Sequence, residues 1–529
     1  MNSHGAANYE EKTSFLDGKS AAHLQQRWPP PVHPHQLLAH LSALLLRAVL
    51  FLIPSFLQPH VQRRLRPRLL TTTASNPPNP GSSTSPSTST STSPTRLSPT
   101  AYLDGMRGLA AAAVFLCHYF YTAFKIAPGF GSGGQHWDLP KLPFVRLVFS
   151  GPPMVCVFFV VSGYALSARP AALAHARDWA GLLRAVGSLT FRRAIRLFVP
   201  TAASTLLVVV LVRLGAYEWT REFATDDRFV RNYKEHHYHR LETTREQLRE
   251  WAKALFNFVH VWDWQPFGGS MAMDVHLWTI PVEFRCSMVL FLTMVGTARL
   301  RRPVRMAVVA GLVVFVYWSE RWEMVLFYAG MVLAELDVVR GAHGSGLAAA
   351  GALPVAASPA PGRLVRRCMT KRTVWMAVSI VGLYLMSQPD EDGGQAPGWV
   401  YLTSLIPKWW KDEHRYWQSA GAILFVLAVG RSAWWQRFFT LPVVQYFGKI
   451  SYAIYLMHGP VLHTVGYAIE RWAWGLTGVE GRAYAGGFFL ASLFVVPVVI
   501  WAADVFWRAV DVPVVKFAKW LEAKCSLPE

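Results

Sequence analysis

The chain has 529 residues, of which 52% are hydrophobic and 16% charged, and its mean hydropathy is +0.23. This composition is too apolar for an ordinary soluble protein of this length and is typical of a polytopic membrane protein. The formal net charge is +20, and the basic residues lie between hydrophobic segments, as they do in cytoplasmic loops of membrane proteins. We therefore expect an all-α membrane helix bundle whose partner is a lipid bilayer, and no nucleic acid.

The first hundred residues differ in composition from the rest. Residues 1–36 are polar and punctuated by proline, and residues 71–99 are a Ser/Thr/Pro/Asn segment that cannot bury enough apolar surface to order itself. Between them, residues 37–57 are apolar but interrupted by a histidine, an arginine and a proline. We predict a disordered N-terminal region, with an interfacial helix at 37–57 favoured over an extra span. A cleavable signal peptide is not expected, because the apolar stretch begins late and a basic run follows it.

A membrane domain is predicted over 101–510, followed by a tail at 511–529. Several of its apolar segments are shorter than the roughly 20 residues that cross a bilayer core. Ten candidate spans follow one another: 105–125, 146–168, 194–215, 276–297, 304–319, 322–338, 373–388, 416–431, 449–469 and 484–508.

The loops between these spans alternate in charge. The segment 169–196 has six arginines against one acid, and 298–305, 339–373 and 431–449 are basic without acids, whereas the intervening loops are mixed. By the positive-inside rule the basic loops, the start of the first core span and the C-terminus are cytoplasmic. The long loop at 216–275 then faces the lumen or the exterior, and we expect it to determine which acceptor molecule is bound.

Arg107 and His118 lie eleven residues apart in the first core span. On an α-helix this spacing rises about 16 Å and ends about 20° past three full turns, so both residues share one face. An ionisable group within a span is a functional-site hypothesis by default. His118 is either a general base or a packing histidine. Arg107 either grips an anionic ligand at the cytoplasmic mouth or anchors the helix at the interface.

Four further motifs carry polar residues in or beside spans. The guanidinium groups of Arg193 and Arg196, three residues apart, suit phosphate binding or a positive-inside anchor. Glu283 needs a partner inside its span, and either orients a histidine or pairs with an arginine. His458 has the same ambiguity as His118. The remaining motif, which either orients a substrate or bonds across helices, comprises Ser162, Gly163 and Tyr164. No CxxC pair or Cys/His cluster has metal-ligand spacing, so neither a metal site nor a disulfide framework is predicted.

Six motifs in order resemble the acyltransferase-3 family of integral membrane acyltransferases. The family includes bacterial enzymes that O-acetylate surface polysaccharides, and related fungal and animal proteins. The resemblance covers about 102–508. The motifs read LDGMRGLAA with His118, FFVVSGY, RRAIRLFVP, LWTIPVE, FYAGMVLAE and GKISYAIYLMH.

The resemblance implies an Arg107/His118 pair, a donor-binding motif at Arg193 and Arg196, and a structural motif at Ser162–Tyr164. Glu283 and His458 match motif positions. It also implies acyl-CoA as co-substrate without a bound cofactor. We expect no appended hydrolase-like domain after the last span. The acceptor would be a hydroxyl-bearing small molecule, lipid or glycan.

These residues suggest a mechanism for the transfer of an acyl group, for which acetyl is the expected group. Arg193, Arg196 and Arg107 would hold the phosphates of acyl-CoA on the cytosolic side, and His118 would deprotonate an acceptor hydroxyl that attacks the thioester. Glu283 would hold the imidazole or bind the acceptor. The alternative functions are a membrane transporter or acyl flippase without transferase chemistry, for which we find no convincing internal repeat, and a catalytically silent scaffold.

Overall fold

A computed structural model describes residues 47–61, 97–262, 270–341 and 364–527, with side chains described outside 364–371. The chain divides into two compact units, Met1–Pro80 and Gly81–Glu529. The segments predicted to be disordered, 1–36 and most of 71–99, lie outside the described residues.

The described part of the first unit contains a helix at 47–52 that ends just before Pro54. Proline disfavours helical backbone at the residue before it. The side chain of Gln58 bridges the break by donating hydrogen bonds to the carbonyls of Leu50 (3.1 Å) and Ile53 (3.0 Å). Six helical residues rise only about 9 Å, so the described part of the apolar stretch 37–57 holds no helix that crosses a bilayer. Residues 37–46 lie outside the described range.

The described part of the second unit is helical and contains no named strand. Two π-helical turns, Leu462–Gly466 and Trp507–Asp511, join successive helices near the C-terminus. In chain order the α-helices are α1 Ala101–Ala123, α2 Gly151–His175, α3 Trp179–Arg213, α4 Ala216–Thr225, α5 Thr244–Val259, α6 Thr279–Thr297, α7 Arg302–Trp318, α8 Trp322–Val339, α9 Leu364–Met386, α10 Val400–Ser404, α11 Glu413–Arg431, α12 Ala433–Phe439, α13 Pro442–Val461, α14 Tyr467–Thr477, α15 Gly481–Phe506 and α16 Val512–Cys525.

Each of the ten predicted spans overlaps at least one of these helices. Within the described residues, four helical segments are long and apolar enough to cross a membrane: Gly151–His175, Trp179–Arg213, Val275–Thr297 and Gly481–Cys525. The predicted fold class, an all-α membrane helix bundle, is confirmed. The crossing of the other segments, and the side on which each loop lies, stay predictions.

The third helix begins well before the predicted start of its span at residue 194. Asp178 caps its N-terminus, where its carboxylate accepts a hydrogen bond of 2.8 Å from the backbone N–H of Gly181. Such a cap satisfies one of the backbone donors left free in the first turn. Most of the predicted basic loop 169–196 is therefore helical, and Arg193 and Arg196 lie inside α3 rather than at its entrance.

Glycines bring α1 and α13 into close contact. A Cβ atom on Gly108 would lie 2.3 Å from the backbone nitrogen of Gly448, and one on Gly448 would lie 2.6 Å from the carbonyl oxygen of Asp104. Small residues allow helices in membranes to approach until their backbones touch. The two helices run in the same direction, so His118 and His458, each ten residues beyond its glycine, arrive at the same level.

A second glycine crossing joins α2 to α8. A Cβ on Gly163 would lie 2.2 Å from the carbonyl oxygen of Phe327, and one on Gly330 would lie 2.2 Å from that of Val160. The neighbouring Tyr164 donates a hydrogen bond of 2.8 Å to Asp337 of α8. Gly163 and Tyr164 therefore hold two helices together, which is the structural alternative for this motif.

Candidate active site

Three imidazole rings from three separate elements form the centre of the candidate site. His118 lies near the end of α1, His458 lies near the end of α13, and His276 lies on the 3-10 turn Val275–Trp278 that leads into α6. The ring centroids are 4.0 Å apart for His118 and His276, 5.2 Å for His118 and His458, and 4.8 Å for His276 and His458. We call these residues the histidine cluster.

A buried carboxylate, Glu235, lies against this cluster. It comes from the long loop between α4 and α5, and accepts hydrogen bonds from Nε2 of His276 (2.7 Å), from Nε2 of His463 (2.8 Å) and from the hydroxyl of Tyr121. Its Oε1 lies 3.8 Å from Nδ1 of His118. Burial alone would raise the pKa of this carboxyl group, but His276 and His463 outweigh burial and hold the pKa well below its usual range. The side chain of Glu235 is therefore ionised and carries a negative charge.

His276 bridges Glu235 and a second carboxylate. Its Nδ1 lies 2.8 Å from Oδ1 of Asp274, while its Nε2 faces Glu235. The backbone N–H of His276 also donates to Asp274, at 3.0 Å. A ring with an acceptor on each nitrogen fits the doubly protonated imidazolium, since both nitrogens are then donors. His276 therefore acts as a charged link that fixes the two carboxylates beside His118.

The other two rings keep a nitrogen free. Nδ1 of His118 and Nε2 of His458 are buried, and neither has a hydrogen-bond partner among the described residues. Nδ1 of His458 lies 3.1 Å from the carbonyl oxygen of Ile454. Nδ1 of His118 faces Oε1 of Glu235 at 3.8 Å. Buried polar atoms are nearly always paired in native proteins, so Nε2 of His458 marks a place where a polar ligand or water belongs.

The three histidines are close enough to be considered as a metal site, with candidate ligand atoms within 4.8 Å of one another. A nitrogen that ligates a metal must have its lone pair free, and both nitrogens of His276 face carboxylates. A catalytic zinc site takes three protein ligands and a structural site takes four. The hydrogen bonds of the cluster leave two of its three imidazole rings, His118 and His458, with a nitrogen free to ligate, which is fewer than either set requires.

A second group of charges lies around Glu283 on α6. Its Oε1 accepts hydrogen bonds from a guanidinium nitrogen of Arg193 (2.7 Å) and from the hydroxyl of Ser162 (3.0 Å). Arg193 also donates through Nε to Ser287, at 3.0 Å. Of the two sequence-based alternatives for Glu283, the structure gives the pair with an arginine. The carboxylate beside His118 is Glu235 instead.

Two further arginines surround this ion pair. Arg107 interacts electrostatically with Glu283, and its buried Nε has no hydrogen-bond partner among the described residues. Arg196, one turn beyond Arg193 and exposed, interacts electrostatically with Arg107 and with Asp511. We call Arg107, Arg193 and Arg196, with Glu283, the arginine cluster. Its excess of positive charge, with one guanidinium nitrogen unpaired, suits an anionic ligand.

Tyrosines of α13 line the way from one cluster to the other. Tyr452 donates a hydrogen bond of 2.6 Å to the carbonyl of Leu197 and lies 3.1 Å from the hydroxyl of Thr201. One turn further, the hydroxyl of Tyr455 accepts from Thr279 (2.7 Å) and donates to the carbonyl of His276. The arginine cluster and the histidine cluster are therefore the two ends of one polar strip.

The structure thus brings the sequence-predicted residues together as two groups. His118 and His458 share one cluster, whereas Arg107, Arg193, Arg196 and Glu283 share the other, with Ser162 bound to Glu283. The sequence motifs assigned no role to Glu235, His463, His276 or Asp274. The signal for Glu235 was weak, since KEHHYHR reads as a solvated charged loop.

Comparison with known proteins identifies the family. The acyltransferase domain of the acyltransferase-3 family matches residues 100–508. The O-acetyltransferase PaAT-1 of Phomopsis amygdali is 30% identical over 456 residues, covering 80% of this chain and 84% of that protein. An acyltransferase of a Phoma species is 28% identical (82% and 97% covered), and the acyltransferase clz18 of Cochliobolus lunatus is 26% identical (81% and 97%). No solved structure matches the chain. The chain belongs to the acyltransferase-3 family, and it is an acyltransferase of the membrane.

Proposed function

We propose that this protein transfers an acetyl group from acetyl-CoA to a hydroxyl group of a small molecule, lipid or glycan. The family supports acyl transfer, and the name of the relative PaAT-1, an O-acetyltransferase, supports an acetyl group and an oxygen acceptor. One observation carries the proposal: the face of α1 that holds Arg107 in the arginine cluster also holds His118, with its buried Nδ1 beside Glu235 and its ring partly exposed.

His118 is the base of the proposed reaction. Its Nδ1 is buried on the side of Glu235, while its side chain is 23% exposed, so the accessible part of the ring lies away from Nδ1. With the proton on Nδ1, facing Glu235, Nε2 is the nitrogen that takes a proton from the acceptor hydroxyl. The separation of 3.8 Å is long for a hydrogen bond, but such contacts often tighten only when substrate binds.

The step conserves atoms and charge. Nε2 of His118 removes the proton of the acceptor hydroxyl as its oxygen attacks the thioester carbonyl, and the C–S bond breaks as the carbonyl reforms. The imidazolium returns the proton to the departing thiolate, which gives the ester and free CoA. Glu235 stabilises the imidazolium between these two proton transfers, because opposite charges attract strongly in a buried site.

The arginine cluster takes the donor in this scheme. Acyl-CoA carries phosphate groups, for which guanidinium groups are suited by charge and geometry. Glu283 fixes Arg193 through the contact of 2.7 Å, which leaves Arg107 and Arg196 to meet the anionic donor. Glu283 is then a positioning residue for the arginines. Its removal changes the KM for the donor more than it changes the rate of proton transfer from the acceptor.

The proposal is tested with the full-length protein in detergent and in proteoliposomes. Acetyl-CoA labelled in the acetyl group is added together with an extract of cells in which the gene is disrupted, because such cells accumulate the unacetylated acceptor. We expect an equal release of CoA and appearance of label in an alkali-labile product. Label that crosses the proteoliposome membrane without entering a product would reject transfer in favour of the transporter or flippase alternative. Absence of both would favour the silent scaffold.

A further inference from the structure

A large groove lies between α2, α3 and α16, outside the polar strip. Its volume is about 1050 Å³, at the upper end of the ~300–1,000 Å³ usual for ligand pockets. We call it the basic groove. Its charged lining residues are Arg169, Arg184, Arg192 and Lys519, with Asp178 and Glu522. We propose that it binds the adenosine 3′,5′-bisphosphate end of the acyl-CoA donor, an inference that rests on the proposed function for the identity of the donor.

The two acids of the groove are already engaged. Asp178 caps the first turn of α3 by accepting from the backbone N–H of Gly181 at 2.8 Å. Glu522 of α16 pairs with Nε of Arg192, at 3.0 Å, and Arg192 also donates to the hydroxyl of Ser188, at 2.7 Å. These contacts fix the wall of the groove.

Arg169 and Lys519 are the two basic residues that supply free charge. Both are exposed, and neither has an ion-pair or hydrogen-bond partner within the part of the chain that the structure describes. They approach from different helices, α2 and α16, so the groove presents cations from two sides. A ligand with several phosphates, at both ends of a ribose, matches that arrangement better than a single carboxylate does.

The position of the groove fits an elongated donor. Helix α3 passes all three sites in turn. Its Ser188 and Arg192 line the groove, and the next residue, Arg193, belongs to the arginine cluster. Further along, Ser204 donates a hydrogen bond of 2.7 Å to the carbonyl of Leu456, which lies close to the histidine cluster. On α2, Arg169 lies two turns beyond Ser162, about 10 Å at 1.5 Å per residue. The groove, the arginine cluster and the histidine cluster therefore follow one another along the bundle.

This order matches the parts of acyl-CoA. The adenosine 3′,5′-bisphosphate would occupy the groove, the second phosphate of the diphosphate and the pantetheine arm would pass the arginine cluster, and the thioester would end at His118. The groove contacts only the end of the donor that is far from the reacting carbonyl. Its contacts therefore stabilise the bound substrate and the transition state by the same free energy. Such uniform binding changes KM and leaves kcat unchanged.

The test compares two donors with two matched double variants. Arg169→Gln with Lys519→Gln removes the free cations of the groove. Arg299→Gln with Lys516→Gln removes the same charge from exposed positions outside it. With acetyl-CoA we expect KM to rise about three- to tenfold in the groove variant alone, the size typical of two exposed charge contacts. With S-acetyl-pantetheine, which lacks the nucleotide, KM should not change in either variant.

A binding measurement separates this inference from the proposed function. Adenosine 3′,5′-bisphosphate is titrated into full-length His118→Ala protein, with and without the groove substitutions, so that no turnover is needed. Weaker binding in the groove variant supports the inference. Normal transfer from acetyl-CoA with an unchanged KM in that variant would overturn the groove alone, whereas failure of the wild type to use acetyl-CoA would overturn the proposed function. Loss of a copurified anionic phospholipid, with nucleotide affinity unchanged, would instead assign the groove to a lipid headgroup.

Discussion

A single added methyl group at the contact between α1 and α13 should separate the histidine cluster. In Gly108→Ala the new Cβ would lie 2.3 Å from the nitrogen of Gly448 and 2.5 Å from the carbonyl carbon of Phe447. Ordinary van der Waals contacts begin near 3.4 Å, so the backbones must move apart by about 1 Å. The contacting atoms are backbone, which cannot rotate away as a side chain can. His458 must therefore move relative to His118.

The size of the effect follows from that displacement. A shift of about 1 Å in a catalytic arrangement can cost roughly 10²-fold in rate, and overpacking of this kind destabilises a protein by about 1–3 kcal/mol. We expect kcat for acetyl transfer to fall by roughly 10²-fold, and the KM for acetyl-CoA to rise as well, because Arg107 of the arginine cluster adjoins Gly108. Steady-state kinetics of the purified protein measure both quantities.

Two companion variants make the result interpretable. Gly296→Ala is the matched control, since a Cβ there meets nothing within 4 Å, and it should keep wild-type kinetics. Gly448→Ala attacks the same contact from the other helix, where its Cβ would lie 2.6 Å from the carbonyl of Asp104, and should reproduce the loss. Wild-type kcat in a monodisperse Gly108→Ala protein would refute the claim that this crossing sets the spacing of the histidines.

Three further predictions concern charged groups. Glu235→Gln removes the charge beside His118 and should lower kcat by roughly 10²-fold or more with little change in KM, as loss of a charge that stabilises the transition state does; an equal kcat would exclude the role of the carboxylate. Arg193→Ala with Arg196→Ala should raise the KM for acetyl-CoA, and an unchanged KM would count against donor binding there. Burial, together with the neighbouring His463, lowers the pKa of His237 to about 4. As pH falls from 6.5 towards 4, the unfolded chain therefore takes up a proton on His237 that the folded chain excludes. The contribution of His237 to the free energy of unfolding is constant above this window and decreases as pH falls through it. Thermal unfolding at pH 7 and pH 5 should show a smaller difference for His237→Asn than for the wild type, and equal differences would contradict this origin.

Local sequence patterns predicted most of the helices and those residues of the site that lie on one helix. Apolar runs, several of them shorter than a full span, located the ten segments, and the helical repeat placed Arg107 and His118 on one face. The spacing of Arg193 and Arg196 likewise predicted neighbouring guanidinium groups, and the structure adds Arg107 to them. These features depend on residues within one helix, whose geometry the chain itself dictates.

The partners of these residues depend on packing between distant segments. Glu235 reaches His118 because the long loop folds back over the end of α1, where its Asn232 donates hydrogen bonds to the backbone carbonyls of Tyr121 and Thr122. No periodicity in the loop predicts that contact. The choice of Glu283 between a histidine and an arginine was also open in the sequence, since both partners lie on other helices.

The removal of one imidazole tests the central claim most directly. Full-length wild type, His118→Ala and His175→Ala are compared for transfer of labelled acetyl from acetyl-CoA, and for binding of adenosine 3′,5′-bisphosphate. His175, exposed at the end of α2, is the matched control. The proposed mechanism predicts that only His118→Ala loses transfer, by about 10²–10⁴-fold as expected for a general base, while all three proteins bind the nucleotide equally. Transfer by His118→Ala at the rate of the wild type would contradict it.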